Sequence, residues 1–243
     1  MDDEKKPSTW VIQAIADQAV NVEFGDCINE AINQRVTAFM DVLKQQQIPG
    51  VTGYLPTYRS LQVSYDSLRI RQSHLIHLID ALLSNTRWTA TPGRCWIVPV
   101  CYGGEQGIDL ETSATALGLT CDELVRLHSA PTYRIYMIGF VPGFAYLGGL
   151  DERLHLARRT SPRQEVPAGS ISIGGMQSAI GSVAAPSGWH LLGKTPAKSF
   201  NLRREQPFLF SAGERVRFLP IGVEEYQALN ADPDYMPQWS HDA

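Results

Sequence analysis

Gly139-Phe140-Val141-Pro142-Gly143-Phe144-Ala145-Tyr146-Leu147-Gly148-Gly149 is the stretch on which the fold turns. Glycines alternate with the large rings Phe140, Phe144 and Tyr146 at nearly every second position, so points of sharp backbone bending are interleaved with bulky apolar groups. Such a segment does not make a helix. Pro142 removes a ladder donor, and the stretch reads as a loop or bulged edge between strands, with backbone groups left free to meet a ligand. The same composition suits a tight, aromatic-packed barrel corner, and both readings stand at this point.

Moving downstream, Arg158, Arg159 and Arg163 surround the Ser161-Pro162 turn. Cations beside an exposed backbone suit an anionic ligand such as a phosphate or carboxylate. The segments 135–139, 169–173, 177–183, 208–210 and 216–220 are short, β-prone and split by Gly and Pro, a pattern that implies a barrel or sandwich. The tail from Ala231 carries no such pattern and is expected to fray.

Moving upstream, 109–117 reads as a short helix closed by Gly118. Thr120-Cys121-Asp122-Glu123 is a capping box opening a second helix that ends near His128. A histidine there either complements the helix dipole or serves a site. Further upstream, 10–24 is β-prone. Ile28, Ile32, Val36, Phe39, Met40 and Leu43 then recur at helical spacing until Ile48-Pro49-Gly50. Strands are expected at 51–54 and 60–66, the second alternating Leu61, Val63 and Tyr65 on one face. A helix at 70–84 and a strand at 95–102 follow. The order is β-α-β-β-α-β, the ferredoxin-like arrangement, so we expect an α+β protein with a first domain at 1–103 and a β-barrel domain at 104–243. The boundary is placed as early as 90 if the last strand starts the second domain, and 85–93 is the most linker-like piece.

The composition narrows the function classes. The chain has 243 residues, 44% hydrophobic and 19% charged, with a net charge of -4. It is long enough for two cores, has no basic block for nucleic acid and no apolar run suited to a membrane span. The start, Met1-Asp2-Asp3-Glu4-Lys5-Lys6, lacks the apolar region of a secretory signal, and a cytoplasmic location is expected. Cys27, Cys95, Cys101 and Cys121 show no metal-binding spacing, and His74 with His77 lacks a third ligand, so no metal site is expected.

In order, Gly139-Phe140-x-Pro142-Gly143-Phe144-x-Tyr146-Leu147-Gly148, Pro162-Arg163-x-x-Val166-Pro167-Ala168-Gly169-Ser170 and Gly188-Trp189-x-Leu191-Leu192-Gly193-x-Thr195-Pro196 closely resemble the allophanate hydrolase subunit 1 family. That family includes the B subunit of 5-oxoprolinase and KipI-type histidine-kinase inhibitors. The resemblance runs from about Thr9 to Ile221 and implies a cyclophilin-like second domain. It also implies a subunit of an ATP-dependent 5-oxoprolinase, which opens the lactam of 5-oxo-L-proline to L-glutamate with release of ADP and phosphate. Phosphorylating the amide oxygen makes the carbon electrophilic, and that step needs charge stabilisation and positioning more than a covalent nucleophile. The site residues implied are His128, Arg159, Arg163 and Lys194 as catalytic groups. Gly139, Phe140, Pro142, Gly143, Phe144, Pro167, Ala168, Gly169, Gln177, Gly188 and Trp189 would bind substrate or nucleotide. ATP with Mg2+ would be shared with a larger homologous partner, of the type of the 5-oxoprolinase C subunit or allophanate hydrolase subunit 2, and a separate subunit would complete ring opening. The chain alone is expected to be inactive. Two other readings are a regulator that docks on a histidine kinase and a component of an allophanate- or urea-processing system.

The sequence departs from the family pattern in places. Ala185-Pro186-Ser187-Gly188-Trp189 stands where Ser-Pro-Gly-Gly-Trp is usual. Gln177-Ser178-Ala179-Ile180-Gly181 replaces Gln-Thr-Gly-Ile-Tyr, and Ala157 replaces a proline. These positions bear on the ligand more than on the fold. Finally, Gly188 to Thr195 satisfies the Walker A pattern, but no buried strand precedes it, and Pro196 with Pro207 leaves no helix behind it, so a phosphate-wrapping loop is not expected. Lys194 remains available as a point charge.

Overall fold

The computed structural model describes residues 10–86 and 93–241. The chain divides into two compact units, 1–91 and 92–243.

The first unit carries strands β1 (Val11–Ile15) and β2 (Ala19–Glu23), helix α1 (Glu30–Gln46), strands β3 (Val51–Pro56) and β4 (Ser60–Tyr65), and helix α2 (Gln72–Asn85). Asn29 starts α1 by accepting the N–H groups of Ala31 and Ile32 on its side chain, satisfying donors that have no partner inside the helix. Val36, Phe39 and Leu43 of α1 and Leu75, Ile79 and Leu83 of α2 pack on Val20, Val22, Leu61 and Val63 of the sheet. Each such large side chain contributes about 1.5–3 kcal/mol on burial. The sheet is antiparallel throughout, in the order β1-β2-β4-β3.

That order corrects the ferredoxin-like expectation. The elements run β-β-α-β-β-α, and the position beside β2 is taken by β1, its hairpin partner. The strand expected at 95–102 is β5 (Arg94–Tyr102), and it belongs to the second unit. It runs parallel to strand β13 (Arg215–Pro220). Its buried Trp96, Val98 and Val100 fill the second unit's core. The first domain therefore does not extend to 103. Of the expected linker 85–93, residues 87–92 lie outside the described residues.

After β5 come α3 (Leu110–Leu117), α4 (Cys121–Ser129), β6 (Thr132–Ile138) and β7 (Ala145–Gly148), then a 3-10 turn at Glu152–Leu154. β8 (Arg163–Val166), β9 (Ser170–Gly174), β10 (Gln177–Ile180), β11 (Ala185–Ser187) and β12 (His190–Lys194) follow. β13, α5 (Val223–Ala231) and β14 (Gln238–His241) end the chain. β12, β9, β10, β7, β6, β13 and β5 are hydrogen-bonded in that order, and β12 returns to β5, closing a seven-stranded barrel. β5 divides its free edge, pairing residues 94–97 with β14 and Cys101 and Tyr102 with β12. The seam is tight: a Cβ on Gly193 would lie 2.6 Å from the Cys101 carbonyl oxygen. β8 and β11 form a separate two-stranded ribbon.

Two further expectations change. The segment 208–210 makes only an isolated bridge, Phe208 to Phe200, because Pro207 interrupts its approach. The tail does not simply fray, since β14 pairs with β5 and stacks Trp239 near Trp96 at 6.3 Å. Within the Walker A pattern, 190–194 is barrel strand β12, and the next helix among the described residues is α5. A loop wrapping phosphates ahead of a helix is absent there.

Candidate active-site cleft

β6 runs into the 139–144 loop, which folds back on itself. The N–H of Gly139 donates to Phe144 O at 3.1 Å, and that of Phe144 donates to Val141 O at 3.1 Å. Gly143 has φ +78, and a Cβ there would meet Phe200 Cβ at 2.8 Å, so only glycine fits the turn. Phe140 also has positive φ, at 69°, and is 61% exposed. A non-glycine residue held there stores strain, a feature that clusters at ligand clamps and switches. The rings then stack inward: Phe140 on Phe144 at 5.7 Å, Phe144 on Tyr146 at 4.7 Å and Tyr146 against Trp189 at 6.1 Å. Trp189 lies on Gly174, where a Cβ would fall 2.7 Å from the indole.

Beside these rings is a narrow cleft with a volume of about 20 Å³, room for about one water molecule. Phe140 and Phe144 form one wall, Val166, Pro167, Ala185, Pro186 and Ser187 the ribbon side, and Ser170, Ser172, Gly181 and Val183 the barrel side. Strand alternation explains the polar floor. Ile171 and Ile173 point into the barrel core, so Ser170 and Ser172 face the other way, into the cleft. Among the described residues, the lining carries no charged side chain.

The expected cations lie around this cleft in unequal roles. Lys194 pairs directly with Ser170 in the ladder, and directly opposed residues share a face, so the lysine belongs to the cleft side. Arg163 pairs with the cleft residue Ser187 in the ribbon, but its guanidinium grips Asp109 in a two-pronged bond of 2.7 and 2.8 Å. Arg159 reaches the same carboxylate at 3.3 Å, and the Leu191 N–H donates to it at 2.8 Å. Asp109 is 3% exposed. Burial pushes its carboxyl up, but the Arg163 and Leu191 hydrogen bonds and the charges of both arginines hold it below the usual carboxylate range. The arginines thus form a clamp joining the start of α3, the 159–163 segment and β12. Arg158 instead lies over the Trp189 ring at 5.5 Å, a cation–π contact.

His128 departs most from expectation. It is fully buried at the end of α4. Nδ1 lies 2.8 Å from the Tyr102 hydroxyl, Nε2 lies 2.9 Å from Ser178 Oγ, and the ring stacks on Phe218 at 4.9 Å. Burial lowers its pKa to about 3, so it is neutral, with one ring nitrogen donating and the other accepting. Ser178 alternates with the cleft residue Gly181 by an odd step and, like core residue Ile180, faces the barrel interior. The expected proton-transfer group is therefore a packed core histidine away from the cleft.

Of the expected binding residues, Phe140, Phe144 and Pro167 line the cleft, while Gly139, Pro142 and Gly143 shape its loop. Ala168 and Gly169 form the turn into β9, and the Gly169 N–H donates to Gly181 O at 2.9 Å. Gly188 accepts from the Arg159 N–H, and Trp189 packs behind the rings. Gln177 opposes Gly174 at the other end of the β9–β10 pair from Ser170 and Gly181 and does not line the cleft. Sequence reading missed Asp109, Ser170, Ser172 and Ser187. The serine–isoleucine alternation in β9 was the available signal, whereas no sequence spacing links Asp109 to Arg163. Among the described residues, no group of three or more His, Cys, Asp and Glu is placed to hold a metal ion, and no helix is long and apolar enough to cross a membrane.

A closed barrel with a ribbon-covered cleft on its outer face, preceded by an antiparallel sheet backed by helices, defines a two-unit α/β class. Within it, the chain belongs to the family described as carboxyltransferase domain, subdomain C and D, which matches residues 10–210. It is 35% identical to the 5-oxoprolinase B subunit of Bacillus subtilis (strain 168) over 235 residues, 92% of this chain and 98% of that protein. To the 5-oxoprolinase B subunit of Haemophilus influenzae it is 43% identical over 150 residues, 62% of this chain and 70% of that protein. The crystal structure of Kluyveromyces lactis urea carboxylase superposes with a TM-score of 0.79 at 17% identity, over 96% of this chain and 24% of that one; at that identity the likeness is one of fold.

Proposed function

We propose that this chain is a subunit of an ATP-dependent 5-oxoprolinase, which converts 5-oxo-L-proline, ATP and water to L-glutamate, ADP and phosphate. The observation that carries the reading is the 35% identity spanning 98% of the Bacillus subtilis B subunit. The groups around the cleft suit the part of the reaction that concerns the amide, in a space that a partner subunit would complete. The cleft's rings and prolines give it apolar walls, its serines offer hydrogen bonds without charge, and Lys194 shares the face of Ser170. Positioning of this kind lowers a barrier by holding reacting groups in register.

The same residues do not fit a self-contained nucleotide site. The Walker A pattern is a barrel strand, the cleft lining is uncharged among the described residues, and Arg163 is already committed to Asp109. ATP and its metal therefore belong to a site completed by a larger partner subunit. Phe140, 61% exposed, and Phe208, 50% exposed, supply an apolar surface for that partner. Assaying 5-oxoproline-dependent ATP turnover by the lone chain, and after adding its partner subunits, tests the reading. Turnover only in the mixture is expected, and glutamate formation by the lone chain refutes shared catalysis.

A further inference from the structure

We propose that the cavity where the β1–β2 turn meets the start of α2 binds a zwitterionic α-amino acid, its carboxylate on the first turn of α2 beside Arg71 and the Tyr65 hydroxyl, and its ammonium on Asp17. The cavity has a volume of about 340 Å³, within the range of small-ligand sites, and its lining belongs wholly to the first unit.

α2 opens without the usual compensation. The N–H groups of Gln72, Ser73 and His74 have no acceptor inside the helix. Arg71 at the N-cap contributes no side-chain hydrogen bond, and the first turn holds no acidic residue. The helix end therefore presents three donors and the positive end of its dipole. Tyr65 points independently to a ligand. Its ring is part of the core between sheet and helices, and the residue is 2% exposed. Among the described residues its hydroxyl has no hydrogen-bond partner, yet it is not one of the orphaned atoms sealed inside the protein, so it opens on the cavity that the residue lines. A buried tyrosine hydroxyl ordinarily finds a partner, and here the partner has to come from outside.

Asp17 is held at the same cavity by bonds on either side of it. Gln72 Nε2 donates to Ala16 O at 3.0 Å, and the Tyr65 N–H donates to Gln18 O at 3.0 Å. Asp17 and Arg71 both line the space, and among the described residues neither makes an ion pair. Asp66, the neighbour of Tyr65, turns its carboxylate to the Leu68 N–H at 3.0 Å and is not part of the lining. Two unpaired charges of opposite sign on one space fit a ligand that carries both. A phosphate meets the donors but sets its charge against Asp17, and a simple amine leaves the helix end unanswered. An α-amino acid answers both and is neutral overall. Under the 5-oxoprolinase reading the product L-glutamate belongs to this class, whereas 5-oxo-L-proline, whose nitrogen is an uncharged amide, does not; amino-acid binding here does not depend on that reading.

The test uses the full chain, isotopically labelled and followed by NMR during titration with glycine, L-glutamate, acetate and inorganic phosphate. Glycine and L-glutamate should move the amide signals of Asp17, Gln72, Ser73 and His74 and leave the barrel signals in place. Acetate and phosphate should bind at least about fivefold more weakly, the scale of one exposed charge pair. Asp17→Asn should erase that preference, because the carboxylate half of the site remains. Tyr65→Phe removes only the hydroxyl and should weaken glycine binding about fivefold, with the thermal midpoint within a few degrees of the native chain. If Tyr65→Phe fails to fold, the probe series and Asp17→Asn still decide. Acetate or phosphate binding as tightly as glycine, an unchanged preference in Asp17→Asn, undiminished glycine binding by folded Tyr65→Phe, shifts confined to other surfaces, or no shift at tens of millimolar glycine overturns the site. Amino-acid binding by a chain whose reconstituted assembly makes no glutamate upholds the site and refutes only the proposed function.

Discussion

Acidification from pH 7 to pH 5 should weaken the barrel unit through His128. The folded pKa is about 3 because burial disfavours the charged ring, whereas the unfolded value is about 6.5. A group whose proton binds more readily in the unfolded chain lowers stability as pH falls below that unfolded value, and the loss continues down to the folded value. At pH 5 the unfolded chain gains about 2 kcal/mol from this one residue by that linkage, a large fraction of a typical domain's stability. The assay is hydrogen exchange of β10 and β13 amides at the two pH values, which reports the second unit separately from the first. His128→Gln keeps a hydrogen-bonding side chain but does not titrate in this range. It loses ring packing at both pH values, so that cost cancels in the difference. Asp109, Glu123 and Asp151, whose carboxyls are held low, act in both proteins and cancel too. The pH-dependent loss should shrink by about 2 kcal/mol in His128→Gln. Equal losses in the two proteins would show that His128 takes up its proton in the folded state, and the buried, neutral assignment would be wrong.

Removing the clamp's carboxylate with Asp109→Ala leaves Arg159 and Arg163 without their shared counter-charge and should cost about 3–5 kcal/mol in denaturant unfolding; a loss below about 1 kcal/mol would show the bridge to be dispensable. Lys194→Ala should cut turnover of the reconstituted assembly at least tenfold while leaving the lone chain's thermal midpoint within a few degrees; unchanged turnover removes Lys194 from the cleft's chemistry. Phe140→Asp should weaken co-purification with the partner subunit without unfolding the chain, since its ring is 61% exposed; intact assembly places the interface elsewhere. Limited proteolysis should give fragments that part near the 91/92 division rather than at 103–106, where the Gly103 and Gly107 N–H groups are hydrogen-bonded to Leu192 O and Gly103 O; a first cut at 103–106 counts against the assignment of β5.

What the sequence disclosed followed from local physics. The Val36, Phe39 and Leu43 part of the α1 stripe, the Thr120–Glu123 capping box and the Gly118 terminator are short-range signals that appear where the pattern predicts, although Ile28, expected at the head of the stripe, lies before α1 and is exposed. The Leu61, Val63 and Tyr65 alternation likewise gives the buried face of β4. Partner choice was not local. Nothing in 94–102 says that it pairs with β13, far along the chain, instead of with β2, and nothing in 11–15 says that a hairpin strand takes the vacated edge. The site shows the same division. The ring-and-glycine loop was legible because its composition excludes regular structure, but the Asp109 clamp joins residues 50 and 54 positions apart and became visible only in three dimensions. His128 runs against expectation because a helix end is exposed by default, whereas the end of α4 is packed on the barrel through Phe218 and Tyr133.

The most direct measurement of the central claim is glutamate release from 5-oxo-L-proline by the purified chain combined with its partner subunits, with and without ATP. The account predicts ATP-dependent glutamate formation that needs this chain, falls when Gly181→Val fills the cleft and is absent from the chain alone. An assembly that releases glutamate equally well without this chain, or a complete assembly that turns over ATP with no dependence on 5-oxoproline, would contradict it.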